Sequence, residues 1–443
     1  MTELTQYRIS AASAAELVDG VESAVAAGRL APGERLPSVR HWALELDLSP
    51  ATIAAAISEL RRRGLVVTEP RRGARIGERP PIGAARVRLP VPPGARDLSL
   101  GNPDPSLLPD LSAALARTQL PVRLYGEPAV LDELAELSRR QLRADGIGAE
   151  SLCVLSGALD AIERVIEAHL RPGDRVAVEN PGYAALFDLL RARGLALEPV
   201  AVDDRGMRPE ALAEALARGA VAAILTPRGQ NPTGAALDAR RAGELCSVLD
   251  AAPRTLVIED DHLGPVAGAR LHTTVGGRER WAATRSVAKA LGPDLRLAVL
   301  AGDAQTLARV QGRQQTGPGW VSHILQRLVL ELWREPTVLA QIEHAGESYR
   351  ARREGLLAAL RARSIKAVGA SGLNVWVPVD DETGVVGTLL QRGWVVAPGA
   401  PFRLAQSPAA VRVTIATLAQ PEAERLAGDL ADALSATPAG RAG

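Results

Sequence analysis

Lysine is rare in this 443-residue chain: of the 52 basic residues only Lys289 and Lys366 are lysines, and the other fifty are arginines. Arginine keeps its proton and cannot attack a carbonyl group, whereas the lysine amine can. Lys289 is preceded by Ser286, three residues earlier, and followed by Arg296, seven residues later. Lys289 is therefore the stronger candidate for covalent amine chemistry.

These three residue types suit a phosphorylated aldehyde. The lysine would form a Schiff base, while the Ser286 hydroxyl and the Arg296 guanidinium could hold the phosphate dianion. A lone Ser-x-x-Lys would be weak support. Other polar motifs precede it, however, at turns and at the end of an apolar run: Glu179-Asn-Pro-Gly-Tyr183, Asn231-Pro-Thr-Gly234 and Val257-Ile-Glu-Asp-Asp261.

From about residue 97 to the C-terminus, this order of motifs resembles the fold-type I aminotransferases, whose cofactor is pyridoxal 5'-phosphate (PLP). The resemblance implies the Schiff base at Lys289 and a substrate carboxylate bound by Arg412. It also implies further contacts to the cofactor: Asn231 and His262 to the phenolic oxygen, Asp260 to the pyridine nitrogen, Tyr183 stacked on the ring, and Ser286, Arg296, Gly157, Ala158 and a Tyr125 from the partner subunit at the phosphate.

The sequence departs from this family pattern at two positions. His262 stands where relatives usually have tyrosine, and an imidazole could still bond the phenolic oxygen but would change the proton chemistry of the site. Leu159 replaces a usual glutamine at the phosphate turn, where backbone N–H groups can still receive phosphate. These departures are easier to accept in a binding protein than in an enzyme under pressure for turnover.

The elements that must position these residues follow from periodicity. Short apolar runs alternate with helical stretches, which favours a mostly parallel sheet with flanking helices, followed by a small α+β subdomain from about 335 to 443. The runs lie at 151–155, 175–178, 221–225, 255–258 and 297–300. The sequence therefore predicts an α/β domain over 97–443, preceded by a Pro-rich linker over 80–96.

The N-terminal residues predict a smaller helical unit over 8–79. Ser13, Ser38 and Ser49 are placed as N-caps of three helices, and in the third helix Ile53, Ile57 and Leu60 recur at helical spacing. Two short strands, 65–68 and 74–76, would flank a wing.

This N-terminal pattern resembles the GntR-type winged helix-turn-helix over nearly its whole length, through Gly33-Glu-Arg-Leu-Pro-Ser-Val-Arg40, Leu48-Ser-Pro-Ala-Thr-Ile53 and Leu60-Arg-Arg-Arg-Gly-Leu-Val66. The resemblance implies binding to double-stranded DNA through Arg40, Ser49, Thr52, Arg71 and Arg72. Relatives usually carry arginines early in the recognition helix where this chain has Pro50 and Ala54. Fewer side chains would then read guanine edges.

Composition excludes several other classes. No apolar run is long enough for a membrane span and the first residues lack a signal peptide, so a cytoplasmic protein is expected. Cys153 and Cys246 fit neither a disulfide framework nor a metal site. The net charge of +1 gives no global argument for nucleic acid, but six arginines lie between Arg61 and Arg75.

The domain order is that of MocR-type regulators, in which a GntR-type winged helix is joined to an aminotransferase-like domain. This resemblance implies a homodimeric, PLP-dependent transcription regulator that senses an amino acid or amine through an external aldimine. One alternative is a working aminotransferase with an appended winged helix. Another is a DNA-binding protein whose large domain serves only for dimerisation.

Overall fold

The computed structural model describes residues 3–4, 9–62, 65–69, 73–77, 91–404 and 407–436. The chain forms two compact units. The first is Met1–Val87 with Leu170–Arg175 and Asp188–Leu197, and the second is Arg88–His169 with Val176–Phe187 and Glu198–Gly443. None of the described helices is long and apolar enough to cross a membrane.

The described N-terminal residues of the first unit form three helices whose starts were predicted. They are α1 (Ala14–Ala26), α2 (Val39–Leu46) and α3 (Pro50–Arg62). The hydroxyls of Ser13, Ser38 and Ser49 each accept a hydrogen bond from the backbone N–H three residues later, at 3.2, 3.2 and 3.1 Å. The three predicted N-caps are confirmed because each serine satisfies one of the N–H groups that a helix start leaves without a partner.

The strands of this unit form two antiparallel pairs, β1 (Glu3–Leu4) with β2 (Ile9–Ser10) and β3 (Val66–Glu69) with β4 (Gly73–Ile76). Strands β3 and β4 lie where the sequence predicted the two wing strands. Ile53, Ile57 and Leu60 of α3 are buried in one apolar core with Trp42 of α2. The helical spacing therefore identified the inward face of α3 correctly.

The larger unit is built on an eight-stranded sheet with the order β6-β13-β12-β11-β10-β7-β8-β9. A smaller sheet has the order β14-β17-β16, and β5 pairs with β15 in parallel. The strands are β5 (Arg96–Asp97), β6 (Leu152–Leu155), β7 (Arg175–Asn180), β8 (Ala196–Asp203), β9 (Gly206–Met207), β10 (Ala220–Leu225), β11 (Leu256–Asp261), β12 (Trp281–Ser286), β13 (Ala298–Gly302), β14 (Asn374–Pro378), β15 (Trp394–Val395), β16 (Ala397–Pro398) and β17 (Ala410–Thr414).

Helices precede, separate and follow these strands, as the alternating pattern predicted. They are α4 (Leu111–Arg117), α5 (Asp132–Ala144), α6 (Ala158–His169), α7 (Ala184–Ala192), α8 (Pro209–Ala217), α9 (Ala239–Asp250), α10 (Ala304–Gln315), α11 (His323–Arg334), α12 (Pro336–Arg361), α13 (Glu382–Gln391) and α14 (Gln420–Ala436). Strands β10, β11 and β12 are parallel, and all of β11 is buried, as expected of a sheet covered on both faces.

One strand runs against this direction. The run at 297–300 was expected in a parallel sheet, but β13 is antiparallel to both of its neighbours, β12 and β6. Strand β12 was not predicted at all, because the second half of Trp-Ala-Ala-Thr-Arg-Ser consists of three polar residues and leaves only a short apolar stretch. The large sheet is therefore mixed.

Candidate functional site

Lys289 lies in the turn that follows β12. The Ser286 hydroxyl accepts a hydrogen bond from the Ala288 amide at 3.1 Å, which holds the start of this turn. The Lys289 amine nitrogen Nζ donates to the carbonyl oxygen of Gly101. Burial, and after it the charge of Arg412, lower the pKa of Lys289 to about 8 from an ordinary 10.5. The neutral amine, which is the nucleophilic form, is therefore readily available.

Asp260 is buried on β11, the strand beside β12, and its register partner is Thr284. Its carboxylate oxygen Oδ1 has no hydrogen-bond partner among the described residues. Burial, with the neighbouring charge of Asp261, raises the pKa of Asp260 to about 7. A buried acceptor without a partner is costly, so this oxygen is suited to a ligand that brings its own proton.

His262 follows β11 with its ring nitrogen Nδ1 4.0 Å from Asp260 Oδ2. Burial and the positive charge of Lys289 lower the pKa of His262 to about 4. The imidazole is therefore neutral at physiological pH. It has one nitrogen that can donate and one that can accept.

Asp261, the second of the paired aspartates, forms ion pairs with two buried arginines. Arg228 donates to both of its oxygens at 2.8 and 2.9 Å, and Arg285 Nε donates to Oδ2 at 2.8 Å. Although burial opposes ionisation, these guanidiniums hold the pKa of Asp261 below its usual value. Asp261 is thus a fixed negative charge, and of the two aspartates only Asp260 has an oxygen left for a ligand.

The predicted phosphate-binding residues Gly157, Ala158 and Arg296, here called the phosphate cradle, lie together at the start of α6. Gly157 has φ +105°, and a Cβ atom there would lie 2.8 Å from Arg296 Nη2. Arg296 Nη2 donates to the carbonyl oxygen of Ser156 at 3.0 Å. Ala158 begins the helix, whose first N–H groups and dipole favour a negative charge.

The side chains of Asn231 and Arg412 are directly bonded. Arg412 Nη1 donates to Asn231 Oδ1 at 2.9 Å, Nη2 donates to the carbonyl oxygen of Ser99, and the guanidinium lies 4.8 Å from the Phe402 ring centre. Because arginine can only donate, the amide oxygen of Asn231 must face it. The amide NH₂ of Asn231 then points away and can serve as a donor elsewhere.

The turn that carries Asn231 is hydrogen-bonded to Ser371, which lies in the segment before β14. The Gly229 amide donates to the hydroxyl oxygen of Ser371 at 2.7 Å, and that hydroxyl donates to the Gly234 carbonyl at 3.1 Å. Ser371 is fully buried. Sequence reasoning did not single out this serine, because nothing in its local sequence shows what it contacts.

The remaining predicted ligands are more exposed. Tyr183 is half-buried just before α7. Tyr125 is 92% exposed and packs edge-on against Trp320, with 5.5 Å between ring centres. Lys366, the second lysine, is exposed after α12. Within one chain the structure thus connects Lys289, Arg412 and Asn231, while Tyr125 faces outward.

Three of the five predicted DNA-contacting residues lie in the described part of the first unit. Arg40 is exposed on α2, and Ser49 and Thr52 lie at the first turn of α3, their hydroxyl oxygens 2.8 Å apart. Arg71 and Arg72 lie outside the described residues. Ser49 therefore has a role in capping α3 in addition to the predicted contact to DNA.

Two further buried polar groups beside Asp260 were not foreseen. Glu179 Oε1 and the Thr284 hydroxyl also have no hydrogen-bond partner in the described part of the chain. Burial, opposed by hydrogen bonds from Thr226 and Gln230, raises the pKa of Glu179 to about 8. The position of Glu179 in the same motif as Tyr183 was a signal that sequence reasoning left unused.

Comparison with protein-family models gives two matches. Residues 13–76 match the model described as bacterial regulatory proteins, gntR family, and residues 96–430 match aminotransferase class I and II. The second match alone covers more than half of the chain.

The chain is also similar to individual known proteins. The chain is 39% identical to the vitamin B6 salvage pathway transcriptional repressor PtsJ of Salmonella typhimurium, over 96% of this chain and 100% of that protein. It is 28% identical to the transcriptional regulator TauR of Rhodobacter capsulatus, over 90% of this chain and 94% of that one. Among solved structures, the α-aminoadipate aminotransferase LysN of Thermus thermophilus shares the fold, with a TM-score of 0.69, 23% identity, and coverage of 78% of this chain and 93% of that one.

The match of residues 13–76 to the gntR family identifies the DNA-binding domain, and the similarity to the repressor PtsJ covers 96% of this chain, which includes both units. The chain therefore belongs to the MocR-type transcription regulators of the GntR superfamily, in which a DNA-binding winged helix is fused to a domain of the class I and II aminotransferase family.

Proposed function

We propose that the protein binds PLP at Lys289 and that occupancy of this site by PLP and by an amino acid or amine sets its affinity for DNA. The observation that carries the proposal is that one unit holds two groups: the Lys289 amine, whose pKa is lowered to about 8, and a buried Asp260 oxygen without a hydrogen-bond partner among the described residues. These two groups serve opposite ends of one aromatic aldehyde.

The residues present fit PLP. Asp260 Oδ1 would accept from the protonated ring nitrogen, the NH₂ group of Asn231 would donate to the phenolic oxygen, and Arg296 with the start of α6 would hold the phosphate. PLP supplies an aldehyde carbon with which a neutral amine condenses, releasing water, so that a second amine can replace the first. Tyr183 would stack on the ring.

The effector would carry a carboxylate as well as an amine. Two of the partners of the Arg412 guanidinium are a neutral amide oxygen and a neutral carbonyl oxygen, and a carboxylate forms stronger, bidentate bonds to such a group than these do. An effector amine that takes the place of Lys289 would free the lysine. His262, neutral where an enzyme relative would have tyrosine, removes an acidic hydroxyl from the site and favours binding over turnover.

The likeness to PtsJ, named as a repressor of vitamin B6 salvage, suggests that PLP is itself part of the signal. We propose that the regulated genes handle vitamin B6 compounds or amines related to the effector. Control by PLP alone would require only Lys289, Asp260 and the phosphate cradle, whereas control by an amino acid would also require Arg412.

We propose that the active form is a cytoplasmic homodimer. Tyr125 is almost fully exposed, and Val122 and Leu124 beside it are 87% and 68% exposed, which is unusual for apolar side chains close together. A partner subunit that covers this segment would receive Tyr125 at its own phosphate cradle. A dimer would also present two winged helices to paired half-sites on DNA.

A second candidate function is transamination. Lys289, Asp260 and Arg412 are the groups that such an enzyme needs, and all three are present. In that case the protein would turn over amino acids at ordinary enzyme rates, about 1 per second or more, and its DNA affinity would not depend on them.

The test uses the full-length protein. PLP addition should give a visible absorbance band, and borohydride reduction followed by peptide mapping should place the cofactor on Lys289. The band should be lost in Lys289→Ala and kept in Lys366→Ala. If Lys366→Ala loses it instead, the site assignment is wrong.

DNA affinity is then measured on a duplex that the full-length protein selects from a random library, without ligand, with PLP, and with PLP plus each common amino acid. We expect at least one condition to change the affinity by about five-fold or more, the usual scale of allosteric coupling. Arg412→Ala should abolish an amino acid response but not DNA binding. Steady transamination together with unchanged DNA affinity would favour the second candidate function and refute the proposed control of DNA binding by ligand.

A further inference from the structure

The residues that connect the linker to the site form a short strap, Arg96–Asp104. At its first residue, Arg96 donates to both Glu422 oxygens, from Nε at 2.7 Å and from Nη2 at 3.0 Å. Its backbone then runs beside β15 and β17, with the Leu98 amide bonded to the Val395 carbonyl and the Thr414 amide to the Leu98 carbonyl, both at 2.8 Å. The strap is therefore anchored at its start.

After this anchor, the strap accepts hydrogen bonds from Arg412 and Lys289, the two side chains that would bind the proposed ligands. The Ser99 carbonyl accepts from Arg412 Nη2, and the Gly101 carbonyl, two residues later, accepts from Lys289 Nζ. These two cations come from separate elements, β17 and the turn after β12. The strap is the one described segment that joins both through its backbone oxygens.

Asp97 fixes the orientation of this part of the strap. Its oxygen Oδ1 accepts from the Ser99 amide at 2.9 Å and from the Ser99 hydroxyl at 2.6 Å. These two bonds hold the backbone amide and the side chain of Ser99, the residue whose carbonyl accepts from Arg412. Asp97 acts through Ser99 and is a positioning residue.

The two carbonyls compete with ligand for the same donors. A carboxylate bonds a guanidinium more strongly than a neutral carbonyl does, so an amino acid would withdraw Arg412 from Ser99. When Lys289 Nζ condenses with an aldehyde, the nitrogen loses protons and is held at the aldehyde carbon. It then no longer donates to the Gly101 carbonyl. Half-buried carbonyl groups left without donors favour a different strap conformation.

We propose that the strap is released from Arg412 and Lys289 when ligand occupies them, and that this release is the change which the linker passes to the DNA-binding unit. The second part rests on the proposed function. The first part concerns the strap alone and can be measured separately.

Strap release is measured by hydrogen–deuterium exchange on the full-length protein. The probe is N-(5'-phosphopyridoxyl)glycine, which carries the ring, the phosphate and a carboxylate with the smallest possible side chain. Peptides spanning residues 97–104 should exchange faster with the probe than without it. Unchanged or slower exchange in this segment would overturn the inference, even if DNA affinity responds to the probe.

Coupling to DNA is tested with a matched pair of variants. Ser106 bonds to Asp104 as Ser99 bonds to Asp97, through its amide at 2.9 Å and its hydroxyl at 2.7 Å, but it lies past the carbonyls that hold the cations. In the wild type the probe should change DNA affinity by about five-fold or more. Ser99→Ala should reduce this to less than about two-fold, and Ser106→Ala should retain it.

Two further variants guard against a folding artefact. Asp97→Ala should behave like Ser99→Ala, while Asp97→Asn keeps an oxygen acceptor and should restore the response. Coupling that survives in both Ser99→Ala and Asp97→Ala refutes the relay. A wild type whose strap exchanges faster but whose DNA affinity never changes refutes the proposed function and leaves strap release standing.

Discussion

Replacing Arg412 by methionine should change how fast PLP attaches to Lys289, and in a pH-dependent way. Arg412 is the second cause, after burial, of the lowered pKa of Lys289. Methionine keeps much of the length of the side chain and removes its charge. The pKa of Lys289 should therefore rise, although burial will keep it below the ordinary 10.5.

The magnitude follows from the fraction of neutral amine. At pH 7.5 a lysine with a pKa of about 8 is roughly one quarter neutral, whereas one with a pKa of 10.5 is neutral in about one molecule in a thousand. The wild-type site thus gains about two orders of magnitude in reactive amine. If the variant raises the pKa by about one pH unit, attachment at pH 7.5 should slow roughly tenfold.

The assay is stopped-flow absorbance of PLP binding between pH 6 and pH 10. The wild-type rate should rise with pH and level off above a midpoint near 8, and the midpoint of Arg412→Met should lie higher. Arg403→Met is the matched control, because Arg403 is paired with Glu382 at 2.7 Å and is not a cause of the Lys289 shift. A wild-type midpoint near 10, or equal midpoints in wild type and Arg412→Met, would refute the reasoning.

Three other substitutions have defined outcomes. The pKa of Asp260 is higher in the folded chain, about 7 against 3.8, so stability falls progressively between about pH 4 and pH 7 and is lower by roughly 4 kcal/mol above pH 7. Asp260→Asn should therefore stabilise ligand-free protein at pH 8 but not at pH 4 in urea denaturation, and should weaken PLP binding. Gly157→Ala should weaken PLP binding by about tenfold or more in an absorbance titration, since its Cβ would crowd Arg296; Gly277→Ala, with positive φ but open space, should not. Ser371→Ala should lower the free energy of unfolding by about 1–3 kcal/mol and weaken PLP binding, because the Gly229 amide loses its acceptor; equal PLP affinity would separate that bond from the site.

Local sequence signals predicted the first unit well. Ser13, Ser38 and Ser49 cap helices through bonds to residues three positions away, so the information lies within one turn of chain. The burial of Ile53 follows from helical periodicity in the same way. Such features need no knowledge of the rest of the fold.

The larger unit shows where this reasoning stops. The direction of β13 depends on how the chain returns to the sheet after Lys289, which composition does not record. The bonds from Arg228 and Arg285 to Asp261 join residues 33 and 24 positions apart, and one sequence does not show which of fifty arginines pairs with which acid. The family resemblance supplied the roles of Asn231 and Arg412, but not the bond between them.

Because the chain contains only two lysines, few positions other than the site can react with an aldehyde inside a cell. Free PLP condenses with any accessible neutral amine, so a lysine-rich protein would collect it at many surface positions and dilute the signal from its site. Here Lys366 is the single lysine besides Lys289, so the surface offers at most one lysine amine that could compete with the site. The protein surface therefore contributes almost no background, and each molecule can report the presence of PLP at close to one cofactor per chain.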